Sequence, residues 1–435
     1  MNSNQYWTAP VVPPPTDGCD PLAFLGAAVS EFPDAFSFQS RVSRCIFINH
    51  PDLVKSAILN KDIVRTELLK TVTGETILTS EGSFWAGQRK AALPIFAAKK
   101  ASEYVSVFHR QCAAQLERWA EVIEPLNFEQ ELDHLTLAIV SESLFSQVVD
   151  KKFCNYFRVL LDRIAKVQNA SLFNHRFSIL PSDNRKLTEA QNYINETADN
   201  IASASQVHDT ENLIQILQEK GVDRDDGYSL KNYLRNEIIT MLIAGHETTS
   251  VSLSWLLREI ASRPEIEANV VREVDSVLSG QACRAEHLHQ LEYLSAVLDE
   301  TLRLYPPIWL VPRTAACDVV LHGIQVQKGE TVVVCPFFLH RRSDYWKRPE
   351  EFNPTRFLVK KETLPMYSYL PFFASRHICI GKHFAYAEIL TVAATIYQSH
   401  RIELVDDDSP KTPVGAGSLR IRGGMQTRIL KRDDR

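Results

Sequence analysis

The stretch FFASRHICIGKHFAYAE, residues 372–388, decides how the rest of the chain is read. It places one cysteine, Cys379, between His377 two positions before and Gly381 two positions after, with Arg376 nearby. Most lone cysteines are small buried hydrophobes. This one directly precedes a segment that reads as a helix starting near Gly381–Lys382. Backbone N–H groups at a helix start and cationic neighbours both favour the thiolate. Gly381 permits a tight turn that aims amides at the sulfur. Such a thiolate can act as a nucleophile or as a metal ligand. The nucleophile reading finds no support, because no Cys–His catalytic signature accompanies the residue and His377 is too local to serve as its base. One thiolate is enough for iron if a macrocycle supplies the other four donor atoms.

Outward from this loop, a long apolar helix is predicted over residues 234–262, LRNEIITMLIAGHETTSVSLSWLLREIAS. It is hydrophobic almost all round, which places it in the core. Its middle carries Ala244, Gly245, His246, Glu247, Thr248 and Thr249. An internal glycine costs ~1 kcal/mol relative to alanine, and a buried acid needs a partner. Thr248 can donate back to the carbonyl of Ala244, which bends helices. The small pair Ala244–Gly245 would let something bulky approach the backbone, although a hydrogen-bonded helix break accounts for the same residues. His246 reads as a helix-surface residue.

Two further pairs stand at helical spacing. Glu300 and Arg303 in LDETLRLYPP (298–307) are three apart, crowded by leucines, and Arg356 in FNPTRF (352–357) can share the Glu300 carboxylate. This grouping is structural. Trp85 and Arg89 in FWAGQRK (84–90) share a helix face and together suit an acidic group. A surface arginine stacked on tryptophan explains them equally well.

Bulk properties set limits without naming a function. The 435 residues are 45% hydrophobic and 23% charged, so a large core can be buried, and the net charge of −5 gives no reason to expect nucleic acid. The eight cysteines form no CxxC pair or zinc spacing, and no secretory signal or spanning apolar run is visible, which predicts free thiols, a cytoplasmic location and no transmembrane anchor. Helical periodicity dominates residues 50–305, with breaks at Gly74, around Pro181–Asn184 and at Pro264. Strands are predicted at 44–49, 318–323, 324–329, 331–335, 401–405, 418–423 and 427–430. The expected fold is mainly α with a small β portion from both chain ends. Residues 1–34 form a leader and N-terminal extension, and residues 35–435 a single domain.

The four constellations, in this order, resemble the cytochrome P450 family of haem-thiolate monooxygenases over roughly residues 35–430. The family's tryptophan-x-x-x-arginine motif falls on Trp85 and Arg89, and its oxygen-activating helix motif on Ala244 to Thr249. Its glutamate-x-x-arginine motif falls on Glu300 and Arg303 with Arg356 as third member, and its cysteine loop on Phe372, Cys379 and Gly381. The loop departs from the common pattern at Ser375, where glycine is usual, and at His377, where arginine is usual. The resemblance implies haem b ligated by Cys379, with propionates met by Trp85, Arg89, Arg313 and His377, and by His340 as a further candidate. Ala244 and Gly245 would lie over the haem, Thr248 would hydrogen-bond on the oxygen side, and Glu247 would pass protons inward. It implies O2 and electrons from a ferredoxin or flavodoxin with its reductase, docking at Lys90, Lys99, Lys100, Arg376 and Lys382.

Substrate contacts are implied near 70–80, near 170–185, at Ile308, Trp309, Leu310 and Val311, and near 416–419. The apolar segment PPIWLV favours a hydrophobic or amphipathic organic substrate. Phe173, His175 and Arg176 hint at a polar or acidic group near the entrance, although a solvated loop explains them equally well. A thiolate-haem isomerase, dehydratase or peroxygenase remains open as an alternative, as does a haem-binding sensor without turnover.

Overall fold

The structure, a computed structural model, describes residues 7–67, 70–176, 181–204, 213–219, 229–358, 364–405, 412–415 and 417–432; the side chains of 71–72 and 181–182 are also left out. The central element is the helix Leu230–Ala261. It begins one turn earlier than the apolar pattern predicts. The reason is Ser229, whose side chain accepts from the Asn232 amide and so caps the helix ahead of its apolar part. Its buried positions fall on every side, as expected for a helix running through the core.

The helix Phe128–Phe145 packs along the central one, and here Gly245 has its structural reason. A Cβ at Gly245 would meet Val140 Cγ2 at 2.5 Å, well inside van der Waals contact. The missing side chain therefore lets two helices approach each other. The sequence reading gave it a different task, to leave room for a ligand. Thr136 Oγ1 donates to the His246 carbonyl at 3.1 Å across the same seam. His246 is buried rather than on the surface: its Nδ1 bonds the Leu242 carbonyl at 2.7 Å, and its ring meets Phe153 and Phe157 edge-on. The helix after the cysteine loop, Lys382–Ser399, also packs on this bundle and is buried over most of its length. The predicted breaks coincide with Gly74, which has φ +69°, and with prolines opening the helices Pro181–Ala204 and Pro264–Leu278.

The β portion joins distant parts of the chain. A five-stranded sheet runs in the order Ala35–Gln39, Arg44–Ile48, Thr331–Val334, Val311–Ala315 and Ile63–Arg65. Only the pairing of Arg44–Ile48 with Thr331–Val334 is parallel. A three-stranded sheet joins Leu126–Asn127, Gln426–Lys431 and His400–Leu404. Two hairpins complete the set, Val319–Leu321 with Ile324–Val326 and Pro413–Gly415 with Leu419–Ile421. The leader is docked: the Trp7 amide donates to the His322 carbonyl, and Trp7, Val12 and Leu25 are buried. Among the described residues no helix is long and apolar enough to cross a membrane, and all eight cysteines are free thiols.

Candidate active site

The cysteine loop is shaped by its own backbone. The Cys379 amide donates to the Phe372 carbonyl at 2.9 Å, and the Ile378 amide to the Ser375 carbonyl at 3.1 Å. Phe373 and Ser375 both take left-handed backbone, with φ of 57° and 58°. That conformation costs an L-residue roughly 1–2 kcal/mol, which accounts for the glycine usual at the Ser375 position. Gly381, by contrast, sits at φ −82° and caps the helix Lys382–Ser399. A Cβ there would stand at ordinary contact, 3.9 Å, from the sulfur.

Cys379 keeps solvent-accessible surface, yet protein atoms surround it so deeply that burial pushes its thiol up; the Gly381 amide and Arg89 oppose this without winning. The two observations agree if its accessible surface opens onto interior space. Without a ligand, the lowering expected from the helix start and the cationic neighbours is thus outweighed by burial.

Beside the loop lies a cluster of side chains with more positive than negative groups. Trp85 stands edge-on to His377 with ring centroids 5.0 Å apart, and Arg65 and Arg89 lie 5.5 and 5.8 Å from the centre of the indole. Arg313 covers the Phe373 ring at 5.1 Å. Burial pulls Arg65 and Arg313 down to about 10 each, and neighbouring arginines add to the effect. Among the described residues the acid serving this group is Glu81, 3.3 Å from His377 Nε2 and bonded by the Arg65 amide at 3.1 Å. Burial resists ionisation of Glu81, but His377 and Arg65 hold it down at about 2. Two buried donors, Trp85 Nε1 and Arg376 Nε, have no protein acceptor.

Buried donors without partners are rare in native proteins, and excess buried cations are costly. A di-anionic group lying against Trp85, Arg65, Arg89, Arg313, Arg376 and His377 would satisfy both. Sequence reasoning found Trp85, Arg89, Arg313 and His377 but missed Arg65 and Glu81, which carry no local signature.

On the central helix, Ala244 is exposed and Thr248 half-buried although Leu242, His246 and Glu247 around them are buried. Thr248 Oγ1 donates to the Ala244 carbonyl at 2.8 Å, as expected. Glu247 is held elsewhere. Its Oε2 accepts from Arg420 Nη2 at 2.6 Å, and its Oε1 from Ser418 Oγ at 2.5 Å and Arg420 Nε at 3.2 Å. Neither partner was singled out in the sequence, although both lie in the strand predicted at 418–423 and Ser418 also in the 416–419 segment implied for substrate contact.

The Glu300 cluster is closed on itself. Arg303 donates Nε and Nη2 to the two Glu300 oxygens at 2.7 and 2.9 Å, Arg356 Nε donates at 3.1 Å, and the Asn353 amide at 2.7 Å. The remaining Arg303 donors meet the carbonyls of His340, Pro349 and Glu351. His340 belongs to this cluster and not to the cationic pocket. Its Nδ1 bonds the Arg303 carbonyl at 3.1 Å and its Nε2 accepts from the Leu370 amide at 2.8 Å, and burial lowers it to about 3. It has no ring nitrogen left for a propionate.

Among the candidate substrate residues, Ile308 is 46% exposed, whereas Trp309 is 1% exposed and packs against Gly415, where a Cβ would meet its ring at 2.6 Å. Trp309 is therefore core, and Leu310 and Val311 are nearly so. Phe173 is buried against Phe24 and Phe38, His175 Nε2 bonds the Cys19 carbonyl at 2.7 Å, and the Arg176 amide donates to Asp17. These contacts fasten the leader to the end of the helix Lys152–Phe173. Residues 177–180 and Ala416 lie outside the described residues.

A family profile described as cytochrome P450 matches residues 28–426. The chain is 27% identical over 397 residues to cyclooctatin synthase of Streptomyces melanosporofaciens, covering 86% of this chain and 84% of the relative. It is 28% identical over 403 residues to cyclooctat-9-en-7-ol 5-monooxygenase of the same organism, covering 88% and 86%. It is 27% identical over 423 residues to leukotriene-B4 omega-hydroxylase 3 of Mus musculus, covering 88% and 80%. The profile spans the cysteine loop, the cationic pocket, the central helix and the closed Glu300 cluster alike, and the chain belongs to the cytochrome P450 family of haem-iron monooxygenases, which draw electrons from a redox partner and use O2.

Proposed function

We propose that the chain binds haem b through Cys379 and inserts one oxygen atom from O2 into an apolar or amphipathic organic molecule, with electrons supplied by a ferredoxin or flavodoxin. The observation that carries the reading is the pairing of an accessible cysteine just ahead of a helix start with a neighbouring group of cations and orphaned donors that an anion would satisfy. An iron porphyrin with two propionates has both charges in one molecule. Bound there, the haem supplies the oxygen and electron chemistry. Cys379 would hold the iron, and Trp85, Arg89, Arg313 and His377, joined by Arg65 and Arg376, would take the propionates.

The remaining steps belong to the side chains. Ala244 and the half-buried Thr248 give the central helix an accessible strip beside which the macrocycle can lie. The Thr248 hydroxyl, anchored by the Ala244 carbonyl, presents its oxygen to the same strip and can relay a proton there. Glu247 stands one residue away as the acid that replenishes it. Ile308 offers exposed apolar surface for a substrate, and relatives named for a 5-monooxygenase and an omega-hydroxylase support hydroxylation of an organic molecule. The exposed Lys90 and Lys99 favour an acidic electron donor.

The test is the absorption spectrum of the dithionite-reduced protein under carbon monoxide, recorded beside Cys379→Ser. The reading requires a strongly red-shifted Soret band that the substitution abolishes. An unshifted band, or no haem at all, removes Cys379 from the role given to it.

A further inference from the structure

The cation cluster beside the cysteine loop contains an acid of its own, Glu81. It stands at the start of the helix Gly82–Ala92, which carries Trp85 and Arg89, yet its side chain makes no bond to the helix start. Instead it reaches two other elements. Its Oε1 accepts from the Arg65 amide at 3.1 Å on the strand Ile63–Arg65, and its Oε2 lies 3.3 Å from His377 Nε2 on the cysteine loop. The Arg65 guanidinium donates to the carbonyl of Ser80, the residue before Glu81. One carboxylate thus joins the segments that carry Arg65, Trp85, Arg89 and His377.

The charges around it do not balance. Arg65 is acted on by Glu81, Arg376 and Arg89, and Arg313 by Arg65, Glu81 and Arg376. Four arginines therefore share Glu81. Burial opposes its ionisation, but His377 and Arg65 prevail and hold it at about 2. Even so, Glu81 leaves Trp85 Nε1 and Arg376 Nε without an acceptor. It is a fixed negative charge that engages some of the cluster's donors and leaves others for an incoming anion.

Propionates entering this cluster would meet Arg65 and His377 with Glu81 already on both. Like charges that share a site repel. A negative charge near the iron also disfavours the ferrous state, because reduction adds an electron. We propose that Glu81 is the resident counter-anion of the cofactor site, which weakens the hold on the haem propionates and lowers the potential at which the iron accepts its electron. The inference rests on the cofactor reading given above for Cys379, Trp85, Arg313 and His377.

The test compares haem-loaded wild type with Glu81→Gln, which keeps an acceptor for the Arg65 amide and removes the charge. The ferric/ferrous midpoint is read by titration with dithionite and mediator dyes, and haem retention by transfer to apomyoglobin. At a fixed potential the ferrous-to-ferric ratio of Glu81→Gln should rise about tenfold, equivalent to ~59 mV for one electron. Haem loss should slow about threefold or more. Glu81→Asp keeps the charge and should stay near wild type in both. Arg313→Met removes a cation and should do the reverse, lowering the midpoint and speeding haem loss.

The inference requires both changes in Glu81→Gln. A midpoint that stays or falls overturns it, and so does haem loss as fast as in wild type or faster, the result expected of a purely structural tie. If Glu81→Gln fails to take up haem, Glu81→Ser decides, because serine caps a helix start: a raised midpoint supports the inference and an unmoved one overturns it. Should Arg313→Met leave both quantities untouched, the propionate reading fails first and the inference falls with it. Should Arg313→Met shift them while Glu81→Gln does not, only the inference fails.

Discussion

Gly245→Ala tests whether the glycine of the oxygen-side motif is there for helix packing. Alanine in a helix interior is favoured over glycine by ~1 kcal/mol, so a roomy site would stabilise the substitution by about that much. The structure leaves no room, because the new Cβ would stand 2.5 Å from Val140 Cγ2, about 1 Å inside the ordinary carbon–carbon contact distance. Overpacking of this kind costs about 1–3 kcal/mol. The expected net effect is a loss of about 0–2 kcal/mol, the difference between these two ranges.

The decisive figure is the coupling. Val140→Ala alone opens a cavity and should cost about 1–3 kcal/mol for the two methyl groups removed. In the double variant the methyl introduced at position 245 occupies part of that space, so the two losses should fail to add by about 1–3 kcal/mol. Denaturant midpoints of the four haem-loaded proteins, fitted with a common slope, give the cycle. Additive losses, or a stabilising Gly245→Ala in the presence of Val140, would refute the packing account and return Gly245 to a role in making space for a ligand.

Four further outcomes are expected. Burial raises Glu237 to about 8 against its ordinary 4.5, with the Ile77 amide opposing. The folded state thus holds a proton that the unfolded chain releases, and the contribution is present below pH 4.5 and lost as pH rises to about 8. The stability difference between wild type and Glu237→Gln should fall by about 1.4 kcal/mol per pH unit inside this window, and a flat difference would mean that Glu237 folds ionised. Ser375→Gly relieves left-handed strain of roughly 1–2 kcal/mol at an entropic cost of about 0.5–1 kcal/mol, so thermal unfolding should shift upward slightly; a lower midpoint contradicts the strain. Trp85→Phe keeps the ring against His377 and deletes the N–H. A hydrogen bond to a charged acceptor contributes about 1.5–3 kcal/mol, so haem transfer to apomyoglobin should accelerate about tenfold or more. Arg313→Met should stabilise the haem-free protein by removing an excess buried cation and speed haem loss from the loaded one; equal destabilisation of both forms would show that Arg313 serves the fold.

The fold was legible wherever the signal is local. The strands predicted at 44–49, 318–323, 324–329 and 331–335 follow β-branched alternation between turn residues, and the structure has them at 44–48, 319–321, 324–326 and 331–334, with ends within three residues. The strand Val311–Ala315 was not legible: it contains Pro312, and the apolar residues before it suggested a pocket wall. What hid it was its pairing on both sides, with Thr331–Val334 and Ile63–Arg65, which burial alone cannot distinguish from ligand contact. The site divides in the same way. Arg303 and Glu300 were visible because they are three residues apart on one helix, whereas Arg420 and Glu247 are separated by 173 positions and carry no mutual trace.

The balance of charge separates the two arginine groups of this molecule. Around Glu300 each carboxylate oxygen is engaged, and the Arg303 donors are shared among Glu300 and three carbonyls, all at 0% exposure of the pair. Breaking such a group costs about 3–5 kcal/mol, but it asks nothing of a ligand. Around Trp85 the balance is reversed: cations crowd one carboxylate, and two buried donors end without an acceptor. Unpaired donors also occur elsewhere, Trp346 Nε1 beside Arg303 among them, so the excess of cations over one carboxylate carries the distinction. Both groups contain arginines partly or wholly withdrawn from solvent, and sequence spacing rates the Glu300 pair the more conspicuous. Their opposite charge balance is the ground for proposing one as a brace and the other as a receptor, and His340 goes with the brace, since both of its nitrogens are engaged by backbone.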